Sequence, residues 1–321
     1  MTLRPVAAQH FERLTEICEV CGTRLIQYVP RCSACGAERP PRVHATSSLQ
    51  RQPGCTRIAH LSDLHVGSNG TNPTALECFL WWIEELQQIS VDALVISGDL
   101  VDCSEDLSSL QAIRKALEGS QIDWHVVPGN HDVPSEPGTA SSFAAVFGRF
   151  PKVKRSGFVE FILLDSNAGI PFTERGTYDR VIAPTGLFGA CITDGRVGRQ
   201  QLAECDAGLA PERPAHRILV LHHHLVHQQA EPLCGPLRDD FARTMRALQD
   251  AAAVLEWAAA RGVSMVLHGH KHLAMRAGVH RGGIAVLGGG SSTQGPPPFR
   301  SRIIDLDPTG GRRVIDVEML R

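Results

Sequence analysis

The sequence predicts an α/β domain preceded by a small cysteine-bearing module, and three observations carry that prediction. From Thr56 onward, short apolar runs alternate with segments of helical period. Those runs repeatedly end in Asp, His, Asn or Gly. Ahead of them, residues 1–38 hold two close cysteine pairs, and residues 39–55, rich in Pro, Ser, Arg and Gln without a period of 2 or 3.6, read as a linker. The domain proper is therefore expected over residues 56–321.

Each element follows from local pattern. RIAHLSDLH reads as a strand running into a loop. The amphipathic stretch from Pro73 to Ser90 opens on Pro, a favoured first-turn residue, and predicts a helix. DALVISGD is a buried strand, DLSSLQAIRKALEG a helix stopped by Gly119, and DWHVVPGNHD another strand. FVEFILLDSN, HRILVLHHH and GVSMVLHGH repeat the strand-then-polar pattern, with a helix from Asp239 to Ala260 before the last. GGIAVLGGG and RSRIIDLDPTGGRRVIDVEML read as strands, the final two joined by a turn at Pro308–Gly311.

Composition narrows the function classes. With 321 residues and 21% charged side chains, the chain can bury a large core, and its net charge of −2 does not suit coating nucleic acid or an anionic membrane. Eight Arg against four Glu give residues 1–57 a charge of +4, which leaves −6 for the remainder. No apolar stretch reaches the ~18–20 residues of a membrane span, and the N-terminus lacks the apolar core of a signal peptide. The expected location is the cytoplasm. There scattered cysteines are mostly small buried hydrophobes, the reading expected of the singly placed Cys55, Cys78, Cys103, Cys191, Cys205 and Cys234.

In open α/β sheets, ligands sit beyond the carboxyl ends of the strands. Five polar clusters fall there: Asp63-Leu-His65, Gly98-Asp99-Leu-Val-Asp102, Gly129-Asn130-His131-Asp132, His222-His223-His224 and Gly269-His270-Lys271-His272. One D-x-H is ordinarily a loop, and one buried His ordinarily a satisfied hydrogen-bonding group. Five clusters at five strand ends are hard to explain by packing, because buried charge is costly unless paired or bound to metal. Imidazoles, carboxylates and an amide, without thiolate, suit Mn, Fe, Co, Ni or Zn better than Mg or Ca. Seven ligands are too many for one catalytic ion and suit two that share a carboxylate.

The order D-x-H, G-D-x-x-D, G-N-H-D, H, G-H-x-H resembles the calcineurin-like metallophosphoesterase superfamily over roughly residues 56–321, within it the members acting on cyclic nucleotides. The resemblance implies a two-sheet β-sandwich flanked by helices. It implies that Asp63, His65 and His272 hold one divalent ion (Mn, Fe or Zn), that Asn130, His222 and His270 hold the other, and that Asp99 bridges them. It implies hydrolysis of a small phosphoester by a metal-bridging hydroxide, with Asn130 neutralising developing charge. His131 is not a ligand in that pattern and acts near the leaving group. Asp102 and Asp132 read either as carboxylates that orient metal-bound His or as helix N-terminal acids. His222, first past its strand, is the expected ligand of the three consecutive histidines; His223 points the other way if the strand persists one more residue, and is placed to support the ligands or to face substrate, and His224 belongs to the rim.

The 89 residues between Asp132 and His222 bear on substrate. Arg175, Arg180, Arg196 and Arg199 lie there and can clamp a phosphate, though a loop Arg is usually just solvated. The loop PGTASSFAAVFGRF, after G-N-H-D, resembles the corresponding region of members that act on cyclic nucleotides or small phosphodiesters. The Gly-rich run Gly288–Ser292 lacks the spacing of a phosphate loop and reads as a tight turn.

Cys18-x2-Cys21 and Cys32-x2-Cys35, each followed by Gly, predict two knuckles closing one structural zinc, similar to short zinc ribbons. A module this small draws most of its folding free energy from the metal. It would dock a protein or a nucleic acid. The leading expectation is a two-metal phosphodiesterase; the alternatives are a nuclease or phosphatase guided by the ribbon, and a non-catalytic binding scaffold.

Overall fold

The computed structural model describes residues 3–5, 16–17, 24–25, 49–67, 74–134, 140–168, 195–226, 248–272, 274–279, 283–293 and 299–319. Cys18, Cys21, Cys32 and Cys35, with Arg175 and Arg180, lie outside them. In chain order the elements are β1 (Leu3–Pro5), β2 (Glu16–Ile17), β3 (Arg24–Leu25), β4 (Thr56–Leu61), α1 (Ala75–Gln88), β5 (Ala93–Ile96), α2 (Leu107–Gly119) and β6 (Asp123–Val126). There follow α3 (Ser142–Phe147), β7 (Lys152–Ser156), β8 (Val159–Leu163), α4 (Arg199–Gly208), β9 (His216–Val220) and α5 (Ala251–Ala260). β10 (Met265–His268), β11 (Met275–Val279), β12 (Ile284–Gly288), β13 (Phe299–Leu306) and β14 (Arg312–Met319) complete the order.

The strands form two six-stranded mixed sheets, β1-β14-β13-β4-β5-β6 and β11-β12-β10-β9-β8-β7. In the first, β4-β5-β6 run parallel out to the β6 edge, while β13, β14 and β1 continue antiparallel to the other edge; in the second, β8-β9-β10-β12 run parallel and antiparallel β7 and β11 close the edges. Period-two alternation builds the layers. Ile58 of β4, Ala93 and Val95 of β5, and Ile218 and Val220 of β9 pack together between the sheets. Their neighbours face outward: Ala59, Leu61, Leu94 and Ile96 pack with Phe79, Trp82 and Leu86 of α1, and Leu219 and Leu221 pack with Val254 and Trp257 of α5. The result is a helix/sheet/sheet/helix sandwich, as expected.

Several elements differ in detail from the sequence reading. α1 begins at Ala75 and Thr74 caps it, accepting from the Glu77 amide while the Glu77 carboxylate accepts from the Thr74 amide, a capping box. Of the long helix expected from Asp239, the described part is α5, and residues 227–247 lie outside the described residues. The segment after G-N-H-D is not all loop, because Ser141 caps the short helix α3. Leu3–Pro5, placed in the N-terminal module by composition, pair antiparallel with Val317–Met319 as an edge strand of the first sheet. Glu16–Ile17 and Arg24–Leu25, on either side of the first cysteine pair in sequence, pair antiparallel.

Candidate metal centre

Asp63, Asp99, Asn130, His222 and His270 each follow a parallel strand by two to four residues: β4, β5, β6, β9 and β10 respectively. The loops continue the strand pairing past the formal ends. Asp63 N–H donates to Gly98 O (3.0 Å), His65 N–H to Asp99 O (2.9 Å) and Gly269 N–H to His222 O (3.0 Å). This keeps the clusters adjacent where the two sheets meet. Asp63, His65, Asp99, His270 and His272 all adopt positive φ, between 48° and 76°. Asp and His tolerate this region better than branched residues, yet each such residue stores strain of order 1–3 kcal/mol. Strain repeated at five of the seven expected ligands marks a site whose side-chain directions are set by the fold.

The motif glycines let these loops touch. A Cβ on Gly129 would lie 2.1 Å from Asp99 Oδ1, and one on Gly269 would lie 2.0 Å from Ser62 Oγ and 2.7 Å from Asp63 Oδ2. No larger residue fits either position with the carboxylates where they are.

Besides a group of His65, Asp102 and His131, two groups of potential ligands share Asp99. Asp63, His65, Asp99 and His272 bring one donor atom each within 4.8 Å of one another, and Asp99, His222 and His270 do the same. Asp99, common to both, is buried between them, with Oδ2 3.2 Å from His222 Nε2 and 3.7 Å from His65 Nε2. Asn130 Oδ1 lies 3.0 Å from His222 Nε2. All seven expected ligands therefore converge.

The donor set fits divalent cations. His65 Nδ1–H donates to Asp102 Oδ1 (2.6 Å) and His222 Nδ1–H to Ser97 O (2.8 Å), which leaves each Nε2 with its lone pair directed inward. His65 Nε2 meets His272 Nε2 at 3.0 Å, and His222 Nε2 meets His270 Nδ1 at 3.1 Å. Lone pairs facing lone pairs are repulsive unless a cation or proton lies among them. Asp63 Oδ2 and His270 Nε2 are buried with no hydrogen-bond partner among the described residues. The electrostatics agree. Burial opposes charge on His222, yet Asp99 and Asp63 raise its pKa to about 9. Burial likewise opposes charge on His65, while Asp102, Asp99 and Asp63 raise its pKa. Carboxylates that force protons onto buried imidazoles would equally attract metal ions.

The surrounding residues resolve the open readings. Asp102 is no helix cap; it orients His65, and Asp106 caps α2 through Ser109 N–H. Asp132 accepts from the amides of Leu100, Val101 and Gly129 (2.8–3.1 Å), tying the Asp99 loop to the Asn130 loop. Burial and the Asp99 charge push its pKa up to about 6, against the pull of those amides. His131 Nδ1–H donates to Asp102 O (3.0 Å), and its own amide donates to Asp99 Oδ1 (3.0 Å). His223 and His224 are both buried, so His224 is not on a rim. Arg196, just before α4, and Arg199, its first residue, are exposed.

The run read as a tight turn, Gly288–Ser292, is part of the site's support. Ser291 Oγ donates to Asp63 O (2.8 Å), Ser292 N–H to Ser62 O (3.0 Å), and Trp82 Nε1–H to Ser292 O (2.7 Å). Ser62, Ser97 and His60 form a buried hydrogen-bonded chain beneath it (2.8 and 2.9 Å). Isolated Ser and Trp carry no motif, so sequence reasoning could not find these groups.

The geometry agrees with comparison to known proteins. The family model described as calcineurin-like phosphoesterase matches residues 56–274, more than half of the chain. The fold is similar to that of a dimetal phosphatase from Danio rerio at 15% identity, covering 81% of this chain and 98% of that one with a TM-score of 0.55. It is also similar to a purple acid phosphatase from yellow lupin (Lupinus luteus) seeds at 12% identity and TM-score 0.51; there 81% of this chain aligns with 50% of the other. No curated protein matches. Among the described residues, no helix is long and apolar enough to cross a membrane. Family match, strand-end ligands and converging lone pairs lead to one conclusion: the chain belongs to the calcineurin-like phosphoesterase family and is a metal-dependent phosphoesterase.

Proposed function

We propose that the protein hydrolyses a small phosphodiester, such as a cyclic nucleotide, at a dinuclear site. Asp63, His65 and His272 would hold one ion, Asn130, His222 and His270 the other, and Asp99 both. The observation that carries this reading is the pair of donor clusters sharing Asp99. When bound, two such ions acidify water and neutralise phosphoryl oxygens.

The chain's own residues supply the rest. Asp102 keeps the His65 proton on Nδ1, and the Ser97 carbonyl does the same for His222, so both present Nε2. Asn130 places an amide beside His222, where it can also neutralise the phosphoryl oxygen. His131, with Nδ1–H committed to the Asp102 carbonyl, exchanges its proton at Nε2, the atom available to protonate the leaving oxygen. The choice of a small diester is supported by the sequence resemblance of residues 137–150 and by the net −6 beyond residue 57, which disfavours long nucleic acid.

The N-terminal module is proposed to hold one structural zinc through Cys18, Cys21, Cys32 and Cys35 and to dock a protein or nucleic acid. The spacing of the two pairs, and the antiparallel pairing of Glu16–Ile17 with Arg24–Leu25 on either side of the first in sequence, support that reading.

A substrate panel with added Mn²⁺ tests the function: cyclic nucleotides, aryl mono- and diesters, dinucleotides and DNA ends. Small diesters are expected to turn over fastest. Preference for monoesters or DNA ends would contradict the proposal.

A further inference from the structure

His270 differs from the other buried histidines that the proposed site uses. His65 and His222 are each aimed by a hydrogen bond at the nitrogen turned away from the cluster, to Asp102 and to the Ser97 carbonyl. Such bonds are the usual way a ligand imidazole is oriented. His270 Nε2 has no such partner among the described residues. Its backbone is fixed, with φ 76° and its amide donating to Asp63 Oδ1 (3.0 Å), and its Nδ1 meets His222 Nε2 (3.1 Å) on the cluster side, but on the far side the ring is held by packing alone, the His222 and His224 rings lying 4.9 and 6.4 Å away.

Packing fills the gap. The His223 ring lies against the His270 ring, with centroids 4.6 Å apart and planes at 49°. His223 is in turn clamped. Ser166 Oγ is 2.7 Å from its Nδ1 and accepts its backbone N–H at 3.2 Å, so one hydroxyl fixes both ring and backbone. On another side, Gly195 approaches so closely that a Cβ there would lie 2.3 Å from His223 Cγ. Gly195 is itself held, its carbonyl accepting Gln249 N–H at 2.7 Å, while Ser166 O accepts Arg196 N–H at 2.6 Å.

We propose that His223 is the positioning residue for His270, holding through ring packing the ligand that no hydrogen bond aims from its far nitrogen, with Ser166 and Gly195 fixing His223 for that task. This rests on the dinuclear reading above, and it assigns His223 neither metal nor substrate contact. The wedge acts by shape and rigidity, so an aromatic hydrocarbon ring can replace it. A tightly packed face with a 4.5–7 Å centroid separation is within the range of ordinary aromatic pairing.

The test is metal binding, read by elemental analysis after equilibration with Mn²⁺ and graded chelator, and independently by the rise in Tm that Mn²⁺ produces. Wild type is expected to bind a labile pair. His223→Ala is expected to weaken one ion about 10–100-fold and leave the other unchanged, as loss of an orienting group does. His223→Phe and Ser166→Ala each keep a ring against His270 but lose the bond between Ser166 Oγ and Nδ1, so both should fall between His223→Ala and wild type. If wild type binds no labile pair, the dinuclear reading fails. If it does, and His223→Ala binds both ions as wild type does, this proposal alone fails. A Phe variant no better than Ala would overturn packing as the cause, and a Ser166→Ala variant with wild-type affinity would overturn the clamp. Should metal-free His223→Ala lack native circular dichroism, the Phe and Ser166 variants decide.

Discussion

Gly129→Ala is the sharpest single-methyl probe of this site. Gly129 does not adopt a positive φ, so alanine suits its backbone. What opposes the substitution is the Asp99 side of the cleft: the new Cβ would lie 2.1 Å from Asp99 Oδ1, 2.3 Å from Asp99 N and 2.8 Å from Asp99 Cγ. Real Cβ contacts stay beyond 3.0 Å. The Asp99 carboxylate or the Asn130 loop must therefore shift by about 1 Å, and a displacement of that size costs about 10²-fold in rate at a preorganised centre. The loop cannot yield freely, because Gly129 N–H donates to Asp132 Oδ2 (2.8 Å) and its carbonyl accepts from Asn167 Nδ2 (3.2 Å). The assay is hydrolysis of an aryl phosphodiester with saturating Mn²⁺, alongside the Tm of the metal-free protein. The expected result is kcat/KM down about 10²-fold with most of the metal-free Tm retained. Wild-type kcat/KM would refute the claim that Asp99 must sit where the structure puts it.

Other expectations test the supporting groups. Asp102→Ala should lower Mn²⁺ affinity about 10–100-fold by releasing His65, measured by the same chelator competition; unchanged affinity would mean His65 needs no orienting partner. Asp305→Asn should cost about 3–5 kcal/mol in urea unfolding at neutral pH, because it strips the buried Arg57 guanidinium of its partner (2.7 Å). Burial would raise the Asp305 pKa, but Arg57 and Arg313 hold it below the ordinary carboxylate value. Its stabilisation is therefore complete above the unfolded value of about 3.9 and is lost as pH falls through the lower folded value; the Asn variant should show a shallower acid limb. Replacing Cys18 and Cys32 with Ser should remove one slowly exchanging zinc and leave the labile pair intact, read by metal content; loss of the pair instead would tie the module to the catalytic ions.

The site was legible in the sequence because its chemistry sits in short motifs at strand ends. Asp63, His65, Asp99, Asn130, His222, His270 and His272 all meet where the spacing put them, and the glycines of those motifs mark close approach. The long parallel strands were legible as apolar runs buried on both faces. What escaped lacks a period or a motif. β7, KVKRS, carries charges on an edge that needs protection from pairing, so it has no apolar signal. α3 is shorter than two helical turns. The Thr74-x-x-Glu77 box was present in sequence but outweighed by the neighbouring Pro73. Ser166, Ser291 and Gly195 act through contacts with residues far along the chain, which no local pattern encodes.

The central claim is that Asp99 is shared by two ions. Metal content and aryl phosphodiester turnover, measured together on wild type and Asp99→Asn after Mn²⁺ loading, test it most directly. The account predicts a labile pair and hydrolysis in wild type, with both the pair and the turnover lost in the variant. A variant that keeps both ions and wild-type turnover would contradict it.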